Sequence, residues 1–172
     1  IYIPQPYNGD RVGAAYIGVP HRTWEGIVIN QPPMLQDYVS ETIHPAGSSY
    51  SYIDTGESLD GESWMAMDYD DSSWPVGTAP LGYGDDHFET ILDYGSDEDD
   101  KNITMYFRGV FTNSGFDFDT AENVGLDLLC DDGCVVYLNG EEVIRMNMPE
   151  GEITSDTVAI TDVDDESSYK SY

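Results

Sequence analysis

The fold of this chain is decided by one stretch of sequence, CDDGCVVYLNGEEVIR, which runs from Cys130 to Arg145. Two strand-like runs lie on either side of Asn139-Gly140, a dipeptide that strongly favours a two-residue hairpin turn. Asp131-Asp132-Gly133 has the composition of another turn, just before the first run. The stretch therefore predicts a β-hairpin that follows a short loop.

The two cysteines of the chain, Cys130 and Cys134, flank that loop. In one extended strand their Cα atoms would lie roughly 13 Å apart at about 3.3 Å per residue, too far for a disulfide. If residues 131–133 instead form a three-residue hairpin loop with Gly133 at positive φ, the cysteines become cross-strand neighbours and can bond. We favour the disulfide, which would indicate an oxidising compartment; the alternative is two buried free thiols.

Short strand-like runs continue on both sides of this stretch. They cover residues 103–111, 124–130, 134–138 and 143–146, with a weaker run at 158–160, and Gly, Asn and Asp turns separate them. No helical period is sustained anywhere in the sequence. The pattern predicts an all-β fold, an antiparallel β-sandwich of the jelly-roll type with long acidic loops, residues 75–100 among them.

The N-terminal part of the chain has a different composition. Residues 1–39 contain five of the nine prolines and only short apolar runs such as Gly26-Ile27-Val28-Ile29. Proline is found at sheet edges and in loops, because it cannot donate to a hydrogen-bond ladder. We therefore divide the 172 residues into an extended arm or edge segment, residues 1–39, and one β domain, residues 40–172.

The charge of the chain is extreme, with 34 Asp and Glu against six Lys and Arg and a formal net charge of −28. A field of this sign disfavours nucleic acid and anionic membrane surfaces as partners. No run of 18 apolar residues occurs, so no membrane insertion by a helix is expected. The chain starts at Ile1, which suggests a processed product, and we expect a secreted or cell-surface protein.

From about Ser40 onward, the chain resembles the galactose-binding-like jelly-roll modules of secreted bacterial hydrolases and surface proteins. The matching phrases are Tyr69-Asp70-Asp71-Ser72-Ser73-Trp74, Ala79-Pro80-Leu81-Gly82-Tyr83-Gly84, Tyr106-Phe107-Arg108, Asp131-Asp132-Gly133 with Val135-Val136-Tyr137-Leu138-Asn139-Gly140, and Asn147-Met148-Pro149. The resemblance implies a jelly roll. It leaves the function open, because such modules serve as sugar-binding domains, spacers and interaction domains.

The resemblance also implies that a strand is missing. Modules of this type continue past the equivalent of Tyr172 with a Gly-Asn turn and a last apolar strand, and a sandwich without that strand has an unpaired edge. The arm, residues 1–39, could fill the edge within the molecule, or the arm of a neighbouring copy could fill it in trans. The third possibility is that the polypeptide is longer.

Several acidic clusters could donate oxygens to Ca²⁺, which takes six to eight of them. Asp131 and Asp132 are candidates because Asp-Asp-Gly before a strand is similar to the calcium loop of PA14-type lectins. Asp97 and Asp99 have the spacing of an EF-hand start, but Asn102 and Arg108 occupy its sixth and twelfth positions, so the segment is not an EF-hand.

Aromatic residues are candidate platforms for sugar rings, although Trp and Tyr in a sandwich more often pack in the core. Tyr83, in the long loop, and Trp24 are the residues that we assign to carbohydrate binding. Asn102-Ile103-Thr104 is a glycosylation sequon. The three histidines are far apart in the sequence and no catalytic motif occurs, so neither zinc nor enzyme activity is expected.

Two hypotheses for the function follow. The first is a non-catalytic extracellular module that binds other copies of itself or other surface proteins and polymerises by strand exchange into a filament or surface layer. The alternative is a calcium-dependent carbohydrate-binding module that tethers a secreted protein to polysaccharide. Removal of the arm tests the first hypothesis, and chelation of calcium or Tyr83→Ala tests the second.

Overall fold

The structure is a computed structural model that describes residues 11–19, 42–84, 88–112, 125–128, 130–162 and 170–172. For residues 11–19, only the backbone is described. These residues contain strands, turns and bends but no helix, and thus no helix that could cross a membrane. The all-β class predicted from the sequence is confirmed.

Most of the described strands belong to one antiparallel sheet. The strands are β1 (Arg11–Val19), β2 (Ser49–Ile53), β3 (Val76–Thr78), β4 (Leu81–Gly82), β5 (Thr90–Ile91), β6 (Tyr106–Thr112), β7 (Asp127–Leu128), β8 (Asp131–Leu138), β9 (Glu141–Met146) and β10 (Lys170–Ser171). Six form the main sheet in the order β3-β2-β6-β1-β8-β9, while β7 pairs with β10 and β4 pairs with β5. The arrangement of two facing sheets in a jelly roll stays a prediction.

The hairpin predicted from Asn139-Gly140 is confirmed. Asn139 and Gly140 have φ angles of 54° and 88°, as a type I′ turn requires, and they join β8 to β9. The weaker run at 158–160 is not a strand, and the run predicted at 124–130 is reduced in the described residues to the two residues of β7.

The loop predicted at residues 131–133 is wrong, because these residues belong to β8. The pairing of β1 with β8 changes register here: Ile17 pairs with Val135, but Val19 pairs with Asp131. Three residues of β8 therefore lie opposite one residue of β1, which is a β-bulge, and Asp132 within it has a φ of 49°. Cys130 and Cys134 are buried free thiols, so the disulfide expected from a hairpin loop is not formed in this structure.

Side chains pack on both faces of the main sheet. One cluster includes Phe107, Val136 and Ile144 and is covered by the segments around β4, β5 and β7. A second cluster includes Tyr106, Trp64 and Trp74, so the loop between β2 and β3 covers the opposite face. Neighbouring residues of β6 enter different clusters because successive side chains of a strand point to opposite faces.

The position of β1 corrects the expectation of an edge segment. This strand comes from residues 1–39, the predicted arm, and it pairs antiparallel with β6 on one side and β8 on the other. It lies in the interior of the sheet. The sequence of β1, RVGAAYIGV, has no proline and no charge after Arg11, as is typical of a strand with neighbours on both sides.

Candidate functional site

The first candidate site is the position that β1 occupies between β6 and β8, which we call the strand slot. Seven residues of β1 pair with β6, from Arg11 with Thr112 to Ile17 with Tyr106. On the other side, Ala14 to Ile17 pair with Leu138 to Val135. The slot is thus built from backbone donors and acceptors, which any strand of suitable sequence can satisfy.

The walls of the slot are deeply buried. Phe107 and Val135 are 0% exposed, and Tyr106 and Val136 are 1% exposed. In the backbone register, Tyr16 lies between Phe107 and Val136, and Ile17 lies between Tyr106 and Val135. A strand in the slot therefore lies in register with buried residues of β6 and β8.

The sheet is continuous only through β1. Among the described strands, β3, β2 and β6 lie on one side of it, and β8 and β9 lie on the other. Without β1, two rows of backbone N–H and C=O groups on β6 and β8 would lose their partners. The chain can avoid this only if some strand always fills the slot.

The second candidate site brings together residues that the sequence assigns to different ligands. The ring centroids of Tyr83 and Tyr94 are 5.0 Å apart, and Lys101 Nζ lies 5.2 Å and 5.4 Å from them. The pKa of Tyr83 is raised, first by burial and then by the negative charges of Asp131 and Asp132. We call these five residues the tyrosine–aspartate cluster.

The backbone at this cluster is held by hydrogen bonds from local and from distant residues. Asp131 Oδ1 accepts a hydrogen bond from the backbone N–H of Asp132 at 2.9 Å. The side-chain amide of Asn147 donates to the carbonyl oxygen of Asp132 at 2.9 Å, and its Oδ1 accepts from Thr161 Oγ1 at 3.1 Å. Asn147 thus holds the bulge of β8 against residues 160–161, a role that its place in the sequence did not reveal.

Asp97 and Asp99 form a local turn. Asp97 Oδ1 accepts a hydrogen bond from the backbone N–H of Asp99 at 3.0 Å. The backbone carbonyl of Asp97 accepts a second one from the backbone N–H of Asp100 at 3.2 Å. Both side chains are exposed. Within the described part of the chain, no group of three or more His, Cys, Asp or Glu side chains is placed to hold a metal ion. The calcium site at Asp131 and Asp132 stays a prediction.

The structure gives Asn102 a structural role. Its Nδ2, the atom that a glycan would modify, donates to the carbonyl of Asp54 at 2.7 Å, and its backbone N–H donates to Tyr94 at 2.8 Å. The side chain of Asn102 packs closely against Gly56, because a Cβ at position 56 would lie only 2.5 Å from Asn102 Oδ1. Trp24 lies outside the described residues.

No family model matches this chain, and no match occurs among the curated proteins or the solved structures. The function therefore has to be inferred from the strand slot and from the tyrosine–aspartate cluster.

Proposed function

We propose that this protein is a non-catalytic, extracellular assembly module in which the strand slot of one copy accepts β1 of another. The observation that supports the proposal is the place of β1. It precedes every other described strand in the chain, yet it joins the two halves of the main sheet. A strand that is central in space but first in sequence is the kind of element that copies of a protein exchange.

When two copies exchange β1, no backbone pairing within the sheet is lost. Every copy carries the same slot and the same β1, so a strand from a neighbour can make the register that β1 makes in its own chain, with Arg11 opposite Thr112 and Ile17 opposite Tyr106. The two states differ in the connection between β1 and β2, residues 20–48, and in the cost of bringing two chains together. One-way exchange would build a filament or surface layer, and mutual exchange would build a closed dimer.

The rest of the proposal extends the motifs in the sequence. The main sheet is taken as one layer of the predicted jelly roll, in which β1 is a central strand. Other surface proteins with a similar arm would be partners as well. The acidic surface suits a secreted protein because a net charge far from zero keeps it soluble.

The test mixes isotopically labelled and unlabelled full-length chains, unfolds and refolds them together, and weighs the products by native mass spectrometry. The expected result is oligomers of mixed label whose fraction rises with protein concentration. Monomers at every concentration, with β1 amides protected from hydrogen exchange, would show that the strand stays in its own chain.

A backbone variant identifies the strand responsible. Ala15 pairs with Arg108 on one side and Tyr137 on the other, and Ala15→Pro removes the N–H of a central strand. We expect the variant alone not to assemble, but its empty slot should accept β1 of the wild-type chain in a mixture. Ala15→Ser, which keeps the N–H, is the matched control and should assemble like the wild type.

Carbohydrate binding at the tyrosine–aspartate cluster is the second candidate. Half-buried Tyr83 lies beside Tyr94, and the two carboxylates whose charges raise its pKa are Asp131 and Asp132. Aromatic rings stack on the apolar faces of sugars, and carboxylates accept hydrogen bonds from their hydroxyl groups. Ca²⁺ bound by the carboxylates would strengthen such a site.

Retention on neutral and acidic polysaccharides tests this second function. We expect Tyr83→Ala to abolish retention and EDTA to weaken it, while Val76→Ala, which removes an exposed apolar side chain from β3, leaves it unchanged. If no polysaccharide retains the wild-type protein, with or without Ca²⁺, the cluster is not a sugar site.

A further inference from the structure

The bulge of β8 brings the two cysteines of the chain together. Cys130 immediately precedes β8, and Cys134 is its fourth residue. A regular strand would hold their Cα atoms roughly 13 Å apart. The bulge, with Asp132 in the left-handed region at φ 49°, shortens that path.

The two thiols are in contact inside the protein. Cys130 and Cys134 are 6% and 2% exposed, and both belong to the cluster that contains Val136 and Met146. The pKa of the Cys130 thiol is raised by its hydrogen bond to the Cys134 side chain and by burial. The acidic residues of the bulge, Asp131 and Asp132, add to this effect. The side chains of the two cysteines therefore lie next to each other in the buried cluster.

We propose that Cys130 and Cys134 are a redox modification site, at which a reversible disulfide closes across the bulge while the sheet stays folded. The oxidant is a small disulfide of the glutathione type. One cysteine thiolate attacks it, forms a mixed disulfide and releases one thiol. The second cysteine thiolate then attacks the protein-bound sulfur and releases the other thiol. The protein loses two protons and two electrons, and the oxidant is reduced to two thiols.

The bond has a consequence for the strand slot, and this part of the proposal rests on the proposed function. Val19 and Ile17 of β1 pair with Asp131 and Val135, the residues on either side of the bulge. A disulfide prevents this part of β8 from stretching into a regular strand, which would slide the register of β1 by two residues. The oxidised protein is thus confined to the bulged register, whereas the reduced protein, which also has this register, is free to leave it.

The first experiment follows the bond itself. Folded full-length protein, and protein refolded in the same buffers, is equilibrated with graded ratios of oxidised to reduced glutathione, quenched with acid, alkylated in denaturant and weighed. We expect both thiols to be lost together, with a mass decrease of two hydrogens and full recovery on reduction. Cys134→Ser, which leaves one thiol, should instead collect a mixed disulfide after refolding.

Two outcomes would overturn the proposal. One is that both cysteines of the wild type remain alkylatable at every ratio in both preparations. The other is that a stable mixed disulfide accumulates on the wild-type chain, because the second thiol would then lie too far away to displace it.

The second experiment compares exchange of β1 in the oxidised protein, the reduced protein and the double variant Cys130→Ala/Cys134→Ala. We expect exchange to be several-fold slower in the oxidised form, and the double variant to behave like the reduced form. If the bond forms and no form of the protein exchanges β1, the proposed function fails and the redox site stands. Equal exchange rates in all forms would refute the link to the slot.

Discussion

Arg108 places a positive charge inside a protein whose formal net charge is −28. Its side chain is 6% exposed, and its Nε donates to Asp71 Oδ2 at 3.1 Å. Another guanidinium nitrogen donates to the carbonyl of Trp64, and the group lies 5.3 Å from the ring centroid of Tyr69. These contacts attach the loop between β2 and β3 to β6, because a buried guanidinium must be paired to avoid a large desolvation cost.

Asp71→Ala should destabilise the protein by about 2 to 3 kcal/mol, below the full cost of breaking a buried ion pair because Asp71 is partly exposed. Urea denaturation followed by tryptophan fluorescence measures the change. Asp68→Ala removes an exposed carboxylate of the same loop and should shift stability by no more than about 0.5 kcal/mol. Equal effects of the two variants would contradict the role given to Arg108.

His44 makes the stability of the protein depend on pH. Burial lowers its pKa from the ordinary value of 6.5, and its Nε2 shares a hydrogen bond with the hydroxyl of Tyr50 at 2.6 Å. A group whose pKa is lowered on folding binds fewer protons in the folded state than in the unfolded state. Its contribution to stability is complete above pH 6.5 and is lost as the pH falls from 6.5 towards the lower pKa of the folded state.

We therefore expect the free energy of unfolding to fall as the pH is lowered from 7 to 5, and His44→Gln to remove that part of the dependence. Glutamine keeps a hydrogen-bonding side chain near Tyr50 but does not titrate. Urea titrations of both proteins at several pH values provide the measurement. The comparison isolates His44 from the other histidines, and identical slopes in the two proteins would show that this residue does not cause the dependence.

At the scale of the element, the hairpin of β8 and β9 depends on its turn. Gly140 has a φ of 88°, and a Cβ there would meet nothing closer than 3.9 Å, so strain would come from the backbone alone. Gly140→Ala should cost roughly 1 to 2 kcal/mol, the penalty of the left-handed region for an ordinary residue. Gly140→Asn should cost less because asparagine tolerates this region. Thermal unfolding checks the order, and equal losses would contradict it.

The sequence predicts those structural elements that depend only on residues close together in the chain. Asn139-Gly140 specifies its turn by backbone preference alone, and the apolar runs around it specify the strands that it joins. The bulge at Asp132, in contrast, depends on residues that are far apart in the chain. It follows from the pairing of Val19 with Asp131, which lie 112 residues apart in the chain. Sequence reasoning therefore recognised a deviation from the regular strand but assigned it to a loop.

The central place of β1 was beyond prediction for a related reason. The prediction of an extended arm used the proline content of residues 1–39 as a whole. The nine residues Arg11–Val19 within this segment contain no proline and are apolar after Arg11. The pairing of such a run with β6 and β8 depends on tertiary packing, which no local pattern encodes. The effect of the Asp131 and Asp132 charges on the pKa of Tyr83 is likewise a product of the fold, so the sequence could name these residues but not predict that they influence one another.

At the scale of the whole molecule, the connection between β1 and β2 decides between one chain and several. Because β1 and its own slot belong to one chain, β1 has an effective concentration for that slot, which depends on the length and stiffness of the connection. Exchange between copies therefore has to compete with closure within one chain, and it wins when copies are concentrated or when they meet before the slot is filled. The protein concentration at which mixed oligomers form is thus a measure of the effective concentration that the connection gives to β1.

Net charge acts on the same competition. Two copies that each carry a formal charge of −28 repel one another, whereas closure within one chain brings no second copy close. The Debye length falls from about 30 Å at 0.01 M salt to about 3 Å at 1 M, so salt should remove most of this repulsion. We expect the fraction of mixed oligomers at fixed protein concentration to rise steeply with NaCl. CaCl₂ at matched ionic strength separates two causes: an equal rise indicates screening alone, and a larger rise that Asp131→Asn/Asp132→Asn abolishes indicates bound Ca²⁺. A fraction that stays constant or falls with salt would show that charge repulsion does not limit assembly.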